Sequence, residues 1–139
     1  MEDAKAIFAD SLKRCASTGL VDRFYELFLA SSPEVAKKFE DTDFDAQKQV
    51  LRSSLFHLML AEVEGSPGHA LLTRLAESHG PKGLDIRPEL YELWLDCLTQ
   101  ALEDTDPSFD AEVEAAWRQV LQPGIDFMIK GYESQQEGA

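Results

Sequence analysis

Six prolines punctuate this chain, and four of them stand where a helix has to start or stop. Ser32-Pro33 and Ser66-Pro67 each set a capping hydroxyl directly before a proline at the first helical position, where the missing N–H removes no bond. Gly80-Pro81 is a stop signal, because glycine takes the left-handed cap and proline cannot continue the helix. Pro88 opens another helical stretch. Around these marks the pattern predicts helices over about residues 3–16, 20–31, 33–39, 42–62, 67–79, 88–104 and 110–132. Thr42 followed by Asp45 resembles a capping box, with Asp43 adding favourable charge to the first turn. Pro123-Gly124 is expected to interrupt and kink the last helix, and the chain from Glu133 onward is expected to fray.

Composition agrees with that punctuation. Leu, Ala and Glu supply 47 residues, whereas Val, Ile and Thr supply 15, and no run of strict apolar alternation is long enough for a buried strand. The expectation is an all-α domain of about seven helices spanning residues 1–139. A chain of this length buries enough surface to need no disulfide support. Cys15 and Cys97 are too far apart for a metal motif and fit a reducing, cytoplasmic setting. The net charge of −13 gives no electrostatic reason to bind nucleic acid or an anionic membrane. The longest uncharged runs, residues 53–61 and 65–73, are nine residues each, too short for a transmembrane helix.

Three polar residues fall where the helical pattern wants apolar ones. Gln47 shares a face with Phe44, Leu51, Leu55 and Leu58, and a buried amide without a partner costs about 1–3 kcal/mol. Tyr25 stands between Phe24 and Phe28 on the inward face of its helix. His79 ends an apolar stripe through Leu72, Leu75 and Ala76, with Ser78 beside it as an acceptor for one ring proton. Each has a plain structural reading: a boundary glutamine, a core tyrosine bonded to a carbonyl, a histidine at a helix C-terminus. Each also suits a ligand site, His79 as a metal ligand whose tautomer Ser78 fixes. His57 and His69 read as partly exposed structural histidines. No zinc spacing, phosphate loop or nucleophile elbow is present, so catalysis by protein side chains alone is poorly supported.

Taken in order, these residues resemble the globin family across nearly the whole chain. Ser32-Pro33 followed by Phe39 matches its short third helix and the phenylalanine that packs on haem. Tyr25 and Gln47 fall at the family's distal positions, with Leu51 one turn after Gln47. Leu75 to His79 resembles the proximal segment, with His79 as the iron ligand. Ile86-Arg87-Pro88-Glu89-Leu90-Tyr91 and Ala116-Trp117 resemble later family segments. The Tyr/Gln pair is similar to that of bacterial single-domain haemoglobins and of the haem domain of flavohaemoglobins.

The resemblance implies haem b held by His79, with Phe39, Leu51, Leu75, Leu84, Ile86 and Trp94 around the macrocycle. Tyr25, Gln47 and Leu51 then face a diatomic ligand: O2, NO or CO. Lys48, Lys82 and Arg87 are candidates for the haem carboxylates. In the flavohaemoglobin pattern a tyrosine and a glutamate flank the proximal histidine. Tyr91 matches the tyrosine, but Tyr132 stands where the glutamate belongs, which counts against a strongly donating proximal ligand. Two roles stay open: O2 binding or transport, extending to oxidation of NO to nitrate with an external reductase, and a gas-sensing or regulatory module acting through a partner protein. Oligomeric state stays open as well.

Overall fold

The computed structural model describes residues 4–58, 67–80 and 86–137, and among these all regular structure is helical. The order is α1 (Ala4–Arg14), a 3-10 turn (Cys15–Ser17), α2 (Leu20–Ser31), α3 (Pro33–Lys38), α4 (Phe44–Leu58), α5 (Pro67–Ser78), α6 (Glu89–Thr105) and α7 (Ala111–Glu137). Gly19 joins the first turn to α2 at φ +80°, a left-handed conformation open to glycine at little cost. Ser32 caps α3 as its position suggests, its hydroxyl accepting from the Glu34 N–H at 3.2 Å.

Two local expectations change. The cap of α4 is Asp43, whose Oδ1 accepts from the N–H groups of Asp45 (3.1 Å) and Ala46 (3.4 Å), so Thr42 lies one position outside the cap. A carboxylate one residue nearer the helix satisfies the same orphan donors and adds charge at the positive end of the dipole. The last helix is neither interrupted at Pro123 nor frayed from Glu133: α7 runs unbroken to Glu137. Proline removes one backbone bond there, and α7 packs against α1, α5 and α6 along its length, so burial outweighs the local loss.

The core lies where α1, α2, α6 and α7 meet. Phe8 and Trp117 are fully buried with ring centroids 4.5 Å apart, and Leu20, Leu98, Leu102 and Leu121 close around them. The Trp117 indole N–H is the only buried side-chain polar atom without a partner among the described residues. Both cysteines are buried and free. Asp106, at the C-cap of α6, ties α1 to the α6–α7 turn. It accepts from Ser11 Oγ at 2.8 Å, from the Ser108 N–H at 2.9 Å, and from two nitrogens of Arg14 at 3.0 Å each. Gly131 lets α7 approach α5 closely, since a Cβ there would meet the Ala76 Cβ at 3.2 Å. That contact is one turn before His79.

Candidate functional site

The helices leave a cavity of about 460 Å³, within the range of small-molecule sites. Its walls come from α2, α3, α4, α5, α6 and α7, and they are mostly apolar. Of the residues expected to surround a ligand, Tyr25, Phe39, Gln47, Leu51, Leu75, His79, Ile86 and Trp94 all line this one space. Leu84 and Lys82 lie outside the described residues, as do the side chains of His57, His69 and Leu72.

His79 follows the last turn of α5. The Leu75 carbonyl accepts from the His79 backbone N–H at 2.9 Å and lies 2.8 Å from its Nδ1. A carbonyl can only accept, so Nδ1 carries the proton. Ser78 Oγ also lies 3.1 Å from Nδ1 while itself donating to the Leu75 carbonyl at 3.2 Å. The lone pair therefore falls on Nε2, which has no protein partner among the described residues. Burial lowers the imidazole's pKa and outweighs the bond to Leu75, which pulls it up. A neutral ring with a fixed tautomer is the form that ligates a metal. Beyond His79, the Ile86 N–H bonds the His79 carbonyl at 2.9 Å, holding the residue from its C-terminal side.

Tyr25 and Gln47 reach the cavity from α2 and α4. The Tyr25 ring is buried and stands edge-on to Phe24, Phe39 and Phe44, with centroids 4.9, 5.8 and 5.6 Å away. Burial raises its pKa, and a hydrogen bond with Gln47 acts in the opposite sense. Gln47, half-buried, lines the same cavity beside Tyr25. With its pKa raised above the ordinary phenol value, Tyr25 keeps its proton at pH 7 and can donate it.

Tyr91 also lines the cavity. Its hydroxyl pKa is pushed up to about 12, first by burial and then by the neighbouring Tyr132. Tyr132 thus lies within electrostatic reach of the Tyr91 hydroxyl. Among the described residues no carboxylate hydrogen-bonds His79.

Two expected anion partners are engaged elsewhere. Lys48 Nζ lies 2.8 Å from Asp22, and Arg87 pairs with Glu34 and Glu89, its Nε 3.0 Å from Glu34. Neither lines the cavity. Sequence reasoning missed the wall that α7 supplies through Leu121, Ile125 and Met128, although their three- and four-residue spacing marks one helix face. It also missed Lys38, Thr42, Val50 and Ser54, which line the cavity from α3, the following turn and α4.

Comparison with known proteins agrees with this architecture. The globin family model matches residues 22–126. No curated protein matches the sequence significantly. Among solved structures, the chain is similar to a Pseudomonas aeruginosa PAO1 protein described as structurally highly homologous to a human haemoglobin. The two are 44% identical over 94% of this chain and 98% of that one, with a TM-score of 0.86. This chain belongs to the globin family. Its fold is the all-helical globin packing around a pocket, and globins generally hold haem there.

Proposed function

We propose that the chain binds iron protoporphyrin IX (haem b) in this cavity through His79 and uses it to hold O2. The observation that carries the reading is the neutral, tautomer-fixed His79 sharing one apolar cavity with the Tyr25–Gln47 pair. The cavity's residues fit the group: a nitrogen lone pair without a protein partner, aromatic and aliphatic walls, and hydroxyl and amide donors supplied from separate helices. His79 would hold the haem, which would supply an iron able to bind a diatomic gas.

The chain's own residues then do three things. His79 offers Nε2 while the Leu75 carbonyl holds the opposite edge of its ring. Phe39, Leu51 and Leu75 exclude water, which strengthens every polar contact inside. The Tyr25 hydroxyl donates toward a ligand that carries negative charge, and the Gln47 amide stands in the same cavity as a second donor. Reversible binding is favoured over turnover of NO, because a carbonyl and a serine hydroxyl donate less electron density through His79 than a carboxylate would.

The test is reconstitution with hemin followed by absorption spectra before and after dithionite and CO. The wild-type chain is expected to give a Soret band that survives desalting. His79→Ala is expected to lose most of its haem on the same column. Unchanged retention and spectrum in His79→Ala would mean another residue is the ligand, and no Soret band in the wild type would overturn the reading.

A further inference from the structure

One face of α7 does two jobs in succession. Leu121, Gly124, Ile125 and Met128 line the cavity, and Gly131 follows three residues later against α5. A glycine inside a helix weakens it relative to alanine, so Gly131 calls for a local reason. The reason is a single neighbour. Among the described residues, the Ala76 Cβ is the only heavy atom of another element within 4 Å of where a Gly131 Cβ would stand. At 3.2 Å that contact is tighter than ordinary packing, so a methyl group there obliges α5 to give way by a few tenths of an ångström. Ala76 is buried, and it lies between Leu75, whose carbonyl holds the His79 ring at Nδ1, and His79 itself. The far side of that segment is tied as well, by the Ile86 N–H on the His79 carbonyl at 2.9 Å. A push on α5 at Ala76 therefore meets a histidine held at both ends, and the imidazole has to move with its helix.

We propose that Gly131 is a positioning residue for His79. By carrying no side chain it seats α5 against the helix that also walls the cavity, and this seat sets how Nε2 is presented to the occupant. The inference rests on the reading that the occupant is haem with His79 as its ligand. The two hydrogen bonds of His79 fix the ring's tautomer and rotation, whereas Gly131 fixes the place of the helix that carries it. Close-packed interiors transmit small displacements instead of absorbing them. Ligand distances in metal sites hold to about 0.2 Å, so a shift of a few tenths of an ångström is large enough to be felt at the iron.

The test uses the full chain loaded with haem and two readouts. Resonance Raman spectra of the ferrous, ligand-free form give the iron–imidazole stretch, and transfer to an excess of a competing apoglobin gives the rate of haem release. Wild type is compared with Gly131→Ala, Ala76→Gly and the double variant, which exchanges the two residues and so leaves the summed helix propensity unchanged. Gly131→Ala should shift the stretching band and release haem about fivefold faster, the low end of what overpacking by one methyl group costs. Ala76→Gly should leave the band in place, since it opens the contact instead of closing it. The double variant should return both the band and the release rate to near wild type. Propensity alone predicts the opposite for Gly131→Ala: a more stable helix and an unmoved band. An unmoved band in Gly131→Ala would overturn the proposal, and so would a shift that the double variant fails to reverse. If Gly131→Ala does not load haem, the double variant is expected to load it and to give the wild-type band, and its failure to do so would also overturn the proposal. Absence of a Soret band in the wild type would overturn the haem reading itself, whereas a normal Soret band with an unmoved stretch in Gly131→Ala overturns only this assignment.

Discussion

A phenol enclosed by three aromatic rings has few groups to bond, and Tyr25 has Gln47 and the cavity. The Tyr25 proton is then available to a ligand in the cavity, with the Gln47 amide as a second donor beside it. A hydrogen bond to a charged acceptor contributes about 1.5–3 kcal/mol, a factor of roughly 10–150 in dissociation. Tyr25→Phe keeps the ring and removes the donor, so O2 release from the haem-loaded chain should speed up by about one to two decades. CO release should change far less, because bound CO carries little negative charge. Gln47→Leu should have a smaller effect, and the double variant should fall short of the product of the singles, since both donors would serve one acceptor. Stopped-flow release of O2 and CO from all three variants measures this. An unchanged O2 rate in Tyr25→Phe would return the residue to a purely structural role. Tyr25, Gln47 and His79 were legible in the sequence because each breaks an apolar face with a polar group that needs a partner. Lys38 was not, since a charged residue at a helix end looks the same whether it faces solvent or a cavity. Lys48 and Arg87 misled for the complementary reason: periodicity cannot show which carboxylate a long cation reaches.

At the scale of elements, the helix starts were legible wherever serine precedes proline, since the cap and the fixed φ act within one turn. The course of α7 was not legible, because its continuity through Pro123 depends on α1, α5 and α6, which packing supplies and a local window cannot show. The link between α1 and the α6–α7 turn is a tertiary device of the same kind. Burial of Asp106 pushes its pKa up, but the hydrogen bonds from Arg14, the Ser108 N–H and Ser11 prevail and hold it below the ordinary aspartate value. A carboxyl whose folded pKa is depressed adds stability above its unfolded pKa, and that stability is lost as pH falls through the folded value. The loss should therefore begin near pH 4, around the unperturbed aspartate value of roughly 3.9, and continue below it. Asp106→Asn keeps the shape, loses the charge and turns an N–H2 toward one of its donors, at a cost of about 2–3 kcal/mol near neutral pH. Melting curves from pH 3 to 7 should show the variant well below wild type at pH 7 and the gap narrowing toward pH 3. A gap that stays constant with pH would mean that Asp106 acts through packing rather than through charge.

For the molecule as a whole, the core and the cavity are neighbouring but separable. Phe8, Trp117, Leu98 and Leu102 bury themselves against one another with no help from a ligand. By contrast, Leu51, Leu75, Phe39 and His79 share a space of about 460 Å³ that an occupant has to fill. A void of that size left dry would be very costly at about 24 cal/mol per Å³, so without haem the walls must admit water or move inward. Either response falls on α4 and α5, which present Gln47, Leu51, Leu75 and His79 to that space. The helices that pack around Trp117 keep their contacts. A ligand that binds only the folded chain stabilises it by mass action, about 4 kcal/mol at a thousandfold excess over its dissociation constant. At roughly 2–4 °C per kcal/mol for a chain near this size, the haem-loaded form should melt about 8–16 °C above the apoprotein. Hydrogen exchange should locate the difference: amides of α5 and the cavity-facing part of α4 should exchange faster in the apoprotein, while those of α1 and the middle of α6 change little. Superimposable apo and haem-loaded melting curves would mean that the cavity is stable empty. Uniform acceleration over all seven helices would mean that core and cavity fold as one unit.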